Sequence, residues 1–266
     1  MTHRAVPPAA RPRLRLDLGS ALLVLAAWLL LTVGTGLLLA RAPQQALADT
    51  VSGGVGLPWV LALLLLAGVA RAHGDRRALG LQAPAPHSWR LLWLPLAYAC
   101  AMLALDAANG WPAPRVLLFV AINTALVGLS EELMFRGVLF AGCRARLALW
   151  PAMLLSSALF GAAHALNVLA TGQLEAALLQ SACAFLQGFG YLAIRLRTGS
   201  LWPVALVHAL WDFSLMAGLL APRTGEAPAG AVLLGPLLVA LPMFLYGLFL
   251  MRGRAAPTSL SMESRS

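Results

Sequence analysis

The chain is 266 residues long, 60% hydrophobic and only 11% charged, with a formal net charge of +9. Soluble domains run at about 45–50% apolar and about 25% charged, so this composition excludes an ordinary soluble domain and reads as an integral membrane protein. All 19 basic residues are Arg. They gather at the ends of apolar segments rather than in an aromatic-interleaved patch, which argues for membrane topology and against a nucleic-acid partner.

In chain order, residues 1–17 carry Arg4, Arg11, Arg13 and Arg15 with Pro7, Pro8 and Pro12, and read as a disordered cytoplasmic tail. The apolar run that follows is long enough to span and lacks a convincing cleavage site, so it is expected as a retained helix. A span needs about 20 apolar residues. Eight segments are candidates: 18–40, 54–72, 89–106, 115–143, 149–170, 175–196, 200–220 and 230–252. The fourth is too long for a straight crossing, and its end, from Val138 to Arg146, is expected to run into the cytoplasmic interface. The third and eighth contain Pro95 and Pro242, which membrane helices tolerate when neighbours satisfy the freed carbonyl. The 73–88 loop, with His73 and His87, reads as a polar cytoplasmic connection, and residues 254–266 as a second disordered tail.

The expected fold is therefore all-α, a polytopic bundle of about eight transmembrane helices over residues 18–253. With the N-terminus in the cytoplasm, fifteen arginines fall on the cytoplasmic side and three, Arg41, Arg115 and Arg223, on the other. That bias supports an even number of spans, with both termini cytoplasmic. The Ala, Leu, Arg, Gly and Pro content suggests a bacterial source, hence the inner (plasma) membrane. Trp28, Trp59, Trp89, Trp93, Trp111, Trp150, Trp202 and Trp211 mostly fall near span ends and read as interfacial belt residues. Cys100, Cys143 and Cys183 lack CxxC spacing and read as small buried hydrophobes.

Several ionisable residues sit in stretches that ought to reject them. Glu131, Glu132 and Arg136 lie in the fourth segment, His164 in the fifth, His208 and Asp212 in the seventh. A charge near a bilayer centre costs roughly 2.5–3.5 kcal/mol on insertion scales, so such a residue reads as a working site by default. Glu132 and Arg136 are four apart and can pair on one helix face, whereas Glu131 points about 100° away and is left free. Phe160 and His164 repeat that spacing, with Asn167 one turn on, as do His208 and Asp212. Glu131 lies fifteen residues from Arg146, His164 fourteen from Trp150 and His208 nine from Gly199. At 1.5 Å per residue the three reach depths of roughly 22, 21 and 14 Å, where tilted helices would let them meet.

The chemistry these groups suit is water activation. A carboxylate out of bulk water serves as a general base near neutral pH. A neutral imidazole can share the water, and a second can stabilise the oxyanion on a scissile carbonyl. No serine or cysteine is clearly placed beside a His as nucleophile, and GxSxG, HExxH, P-loop and GxGxxG motifs are missing. Glu131, His164 and His208 could also make a His₂Glu zinc site with an open position. A metal-free glutamate mechanism is slightly favoured, because the local HExxH geometry is lacking.

Glu131-Glu132-x-x-x-Arg136, Phe160-x-x-x-His164 and His208-x-x-x-Asp212, in that order, resemble the three motifs of the CAAX prenyl protease and bacteriocin-processing family of intramembrane endopeptidases. The resemblance covers about residues 115–220. It implies that Glu131 and His164 polarise the attacking water and that Glu132 with Arg136 supports the site. It further implies that Phe160 packs beside them and that His208 and its fourth neighbour form the oxyanion pocket. Asp212 stands where prenyl proteases often have Asn. An ionised aspartate would repel an oxyanion, so Asp212 is expected to orient His208.

The implied substrate is a membrane-associated or lipidated peptide or protein, in contact with the bilayer. Two other readings use the same residues: a proton- or ion-coupled transporter, and a non-catalytic bacteriocin-immunity or scaffold protein. The first is weakened by the lack of an inverted repeat or a pair of broken helices.

Overall fold

The structure is a computed structural model that describes residues 14–40, 44–222 and 229–253. Most of the N-terminal tail, all of the C-terminal tail, and Arg41 and Arg223 lie outside the described residues. Every regular element among the described residues is helical. Among the described residues, six helices are long and apolar enough to cross a membrane. They are α1 (Leu18–Leu39), α4 (Ser88–Asn109), α5 (Pro114–Arg144), α6 (Leu149–Thr171), α7 (Leu174–Thr198) and α8 (Trp202–Leu220). The short helix α2 (Leu47–Ser52) precedes α3 (Leu57–His73), and α9 (Ala229–Leu250) closes the chain. All eight expected segments thus fall largely on helices; the second coincides with α3, 17 residues long and shorter than a full span needs, and the eighth with the 22-residue α9.

Local chemistry sets the boundaries. Asp17 caps α1: its side chain accepts from the Ser20 amide at 2.8 Å, while its own amide donates to the Ser20 hydroxyl at 2.9 Å. That pairing holds the Asp17 carboxyl below its ordinary pKa. Proline opens α3, α5 and α8 in the first turn, where no intrahelical donor is lost. Pro95 also falls within an opening turn, just after the 3₁₀ stretch Ser88–Leu92, so it breaks nothing.

Packing divides the bundle into two stacks. In one, α7 lies between α6 and α9; in the other, α8 lies between α5 and α4, with α1 and α3 on the flank of α5. Glycine lets the helices approach. A Cβ on Gly190 of α7 would lie 2.5 Å from the Met243 carbonyl oxygen of α9, and one on Gly128 of α5 2.9 Å from the Ala209 nitrogen of α8.

Helix α5 departs from simple α winding. Over Glu132–Leu139 its backbone adopts the wider i→i+5 pattern, and every residue of that stretch is buried. Ser156 of α6 donates to the Phe135 carbonyl at 2.7 Å, and the Trp28 indole of α1 donates to the Ser130 hydroxyl at 2.9 Å. At the end of α5, Val138, Leu139 and Phe140 are buried in protein, whereas Arg144 and Arg146 are exposed. One expectation is corrected here. Trp28 is no belt residue: it is 3% exposed and packs on Trp59 and Phe135. Of the cysteines, Cys143 is buried, Cys183 half-buried and Cys100 exposed on the bundle surface.

The 74–87 loop is also more than a polar connection. Leu79 is fully buried, the Gly80 carbonyl accepts from the Leu201 amide at 2.8 Å, and the Ala85 amide donates to the Thr198 carbonyl at 2.8 Å. The Gln82 side chain adds a bond to the Gly199 carbonyl. The loop is thereby stitched to the α7–α8 turn. His73 ends α3, with its Nδ1 3.1 Å from the Leu14 carbonyl.

Gly190→Val should force α7 and α9 apart and destabilise the detergent-solubilised protein by about 1–3 kcal/mol. Gly68→Ala, whose added Cβ meets nothing within 4 Å, should leave thermal unfolding unchanged or raise its midpoint.

Candidate active site

Helices α5, α6 and α8 bring the three motifs together. On α5, Glu131 closes the regular helix and Glu132 opens the widened stretch. Both are buried, Glu132 completely, as are Arg136 and His208. Oε1 of Glu132 lies 3.1 Å from Nη1 of Arg136 and accepts from Nδ1–H of His208 at 2.8 Å. One carboxylate therefore serves two cationic or donor groups on two helices.

That hydrogen bond assigns the ring atoms of His208. Nδ1 faces Glu132, so Nε2 is the free atom. It lies 3.6 Å from Oε2 of Glu131 and 3.5 Å from Oδ2 of Asp212. Those separations exceed a good hydrogen bond and suit a shared water. Oε2 of Glu131 is buried and has no direct hydrogen-bond partner.

The expected role of Asp212 changes in consequence. Glu132 holds the orienting nitrogen of His208, while Asp212 stands at the working nitrogen. The Asp212 side chain is 21% exposed, making it the open edge of an otherwise closed cluster.

His164 is held differently. Its Nδ1–H donates to the Phe160 carbonyl at 2.9 Å, one turn back on α6, leaving Nε2 as an acceptor. Its charge is within electrostatic reach of His208, Asp212 and Arg136. The Phe160 ring joins the parts: its centroid is 3.9 Å from Cζ of Arg136, and its ring meets His164 and His208 edge-on at 4.6 and 6.0 Å. Cation–π contact of this kind offsets part of the cost of burying a guanidinium. Phe160 is thus a structural hub as well as core packing.

Asn167, one turn beyond His164, donates through Nδ2 to Oε1 of Gln180 at 2.9 Å. It ties α6 to α7 rather than touching the ionisable cluster.

Three contributors were not singled out from the sequence. Tyr191 of α7 is buried with its ring 5.6 Å from His208, and its hydroxyl accepts from Gln187 at 2.9 Å. Gly188 leaves room for the Arg136–Phe160 stack, since a Cβ there would lie 2.8 Å from Phe160 Cδ1 and 2.9 Å from Arg136 Nη2. Ser130 receives the Trp28 indole. A tyrosine far from either span end and a glycine on a helix that meets a charged segment were the available signals.

The zinc reading needs Glu131, His164 and His208 around one point. Each histidine does present a free Nε2 with its Nδ1 held, the second-shell arrangement that metal ligands use. Among the described residues, however, no group of three or more His, Cys, Asp or Glu side chains is disposed to hold an ion. The arrangement does not fit a three-ligand centre.

Comparison with known proteins agrees with the motif reading. Residues 113–214 match the family model described as Rce1-like, type II CAAX prenyl endopeptidase. The matched segment spans α5 to most of α8 and contains all three motifs. Searches of curated proteins and of solved structures found no match.

Removing one partner of a buried ion pair typically costs about 3–5 kcal/mol. Glu132→Met, which strands Arg136, should lower stability in chemical denaturation by about that amount. Adding Arg136→Met should restore most of it.

Proposed function

We propose that this multi-pass membrane protein, whose 113–214 segment is of the CAAX-protease type, hydrolyses a peptide bond of a membrane-associated or lipidated substrate by direct attack of water. The observation that carries this reading is the facing of Glu131 Oε2 and His208 Nε2 at 3.6 Å inside a buried cluster. A water hydrogen-bonded to both atoms from the side has a base and an imidazole within reach.

In the proposed reaction, Glu131 removes a proton from that water as its oxygen attacks the scissile carbonyl carbon. Nε2 of His164 accepts the water's second hydrogen and fixes its lone pair toward the carbon. The carbonyl oxygen becomes an oxyanion, which Nε2–H of His208 stabilises when that nitrogen is protonated. Glu131 then passes its proton to the amide nitrogen as the C–N bond breaks, giving an amine and a carboxylic acid, which loses its proton to solvent on release.

Each helper has a place in this scheme. Glu132 and Arg136 hold His208 so that Nε2 faces the reaction. Asp212 sits beside Nε2 at the exposed edge, where it balances charge on the imidazole and marks the entry side. Held donors of this sort typically supply about 10²–10³ in rate each, and a positioned general base about 10²–10⁴.

The buried groups would serve a proton-coupled transporter too, so the two readings need a shared test. In proteoliposomes, Glu131→Gln should reduce peptide cleavage by about 10²–10⁴-fold with an unchanged unfolding midpoint. His164→Ala should fall in the same direction. Full cleavage by Glu131→Gln would eliminate the proposed base. Proton flux that vanished in the same variant, without any cleavage by the parent, would favour transport. The doubly substituted Glu132→Met/Arg136→Met protein should be stable yet inactive, because His208 loses its orienting carboxylate.

A further inference from the structure

Away from the catalytic cluster, α5, α6, α7 and the 74–87 loop enclose a second feature. A cavity of about 300 Å³ is lined by Arg77, Phe140, Arg144 and Arg195, with Ala78 and Leu149 among its other walls. Three arginines and no acidic residue border it.

The arginines differ in how they are held. Arg195 is only 7% exposed, its Nη2 donates to the Ala78 carbonyl at 2.6 Å, and its guanidinium lies 5.4 Å from the Phe140 ring centroid. Its Nε is buried without a hydrogen-bond partner. Arg77 and Arg144 are exposed at the rim, and Arg144 spends one donor on the Leu147 carbonyl at 2.6 Å. Asp75 is nearby in sequence, but its carboxylate caps the Arg77 and Ala78 amides. On the other side of the same loop, Arg71 and Arg76 line a second recess of about 360 Å³. The positive-inside pattern assigns all five arginines to one membrane face.

A buried arginine, two mobile ones at the rim and an apolar wall make a site for an anion attached to something greasy. Guanidinium groups bind phosphate oxygens bidentately, and basic pockets between spans on the cytoplasmic side take lipid headgroups. We propose that this pocket binds the phosphate of an anionic phospholipid, with Arg195 as the buried anchor and Arg77 and Arg144 closing over it. The acyl chains would lie along the Phe140 and Leu149 side. Phe140 directly follows the widened stretch that carries Glu132 and Arg136, so an occupied pocket braces the end of that stretch. The assignment stands independently of the catalytic reading.

The test uses the intact protein in nanodiscs of phosphatidylcholine, titrated with phosphatidylglycerol or, in a separate arm, with inorganic phosphate. Phosphatidylglycerol should raise the unfolding midpoint and appear as a bound lipid by native mass spectrometry. Each rim arginine removed should weaken binding about fivefold, so Arg77→Gln/Arg144→Gln should weaken it about 25-fold. Arg252→Gln, which does not line the pocket, should have no effect. The proposal is overturned if phosphatidylglycerol binds no better than phosphatidylcholine, if inorganic phosphate alone produces the whole shift, or if the double variant binds like the parent.

Discussion

A single buried carboxylate organises this molecule. Oε1 of Glu132 meets Arg136 on its own helix and the Nδ1–H of His208 on α8. Moving ions out of water costs several kcal/mol each, and attraction repays it only where geometry is good and the remaining donors are occupied. Here Nη2 of Arg136 and Oε2 of Glu132 are buried without hydrogen-bond partners, and the repayment rests on the ion pair, the imidazole bond and the Phe160 face under the guanidinium. The α5–α8 approach follows from it, and Gly128 against Ala209 allows it. The widened winding over Glu132–Leu139 keeps Glu132 and Arg136 on the side where both find partners.

The two adjacent glutamates are consequently unequal. Glu132 is engaged through Oε1, which meets Arg136 and the Nδ1–H of His208 while its Oε2 is buried without a partner, and what it fixes is a ring orientation. Glu131 keeps an oxygen with no direct hydrogen-bond partner beside the one nitrogen of His208 that Glu132 leaves free. A held support next to an under-coordinated base is what a site for water activation requires. Both catalytic candidates on α6 and α8 have one ring nitrogen held in place, by a carbonyl in His164 and by a carboxylate in His208. In His208 the other nitrogen faces Glu131 and Asp212.

Helix α5 links this centre to the membrane surface. It runs 31 residues, about 46 Å at 1.5 Å per residue, against a hydrocarbon core of about 30 Å. The surplus length is absorbed where Phe140–Arg144 packs against α1 and the 74–87 loop. The basic cavity opens there, beside Phe140 and Arg144. A span that ended at the bilayer edge would have no such corner.

Periodicity and hydropathy were enough to locate eight helical segments, because long apolar runs need no tertiary information to read as helix. Motif spacing was enough to single out Glu131, Glu132, Arg136, His208 and Asp212, whose side chains lie together, and His164, which meets them through the Phe160 ring, since four-residue spacing encodes a shared face. What stayed illegible depended on distances between helices. Trp28 looks interfacial until Ser130 is found beneath it, and Tyr191 and Gly188 have no motif at all. The split between Glu132 as holder and Asp212 as neighbour of the working nitrogen was likewise out of reach. Local sequence determined which groups are buried and on which faces. Only the tertiary structure decided which nitrogen of His208 meets which carboxylate, because that choice is made by side chains reaching across from separate helices, whose relative rotation no single segment specifies.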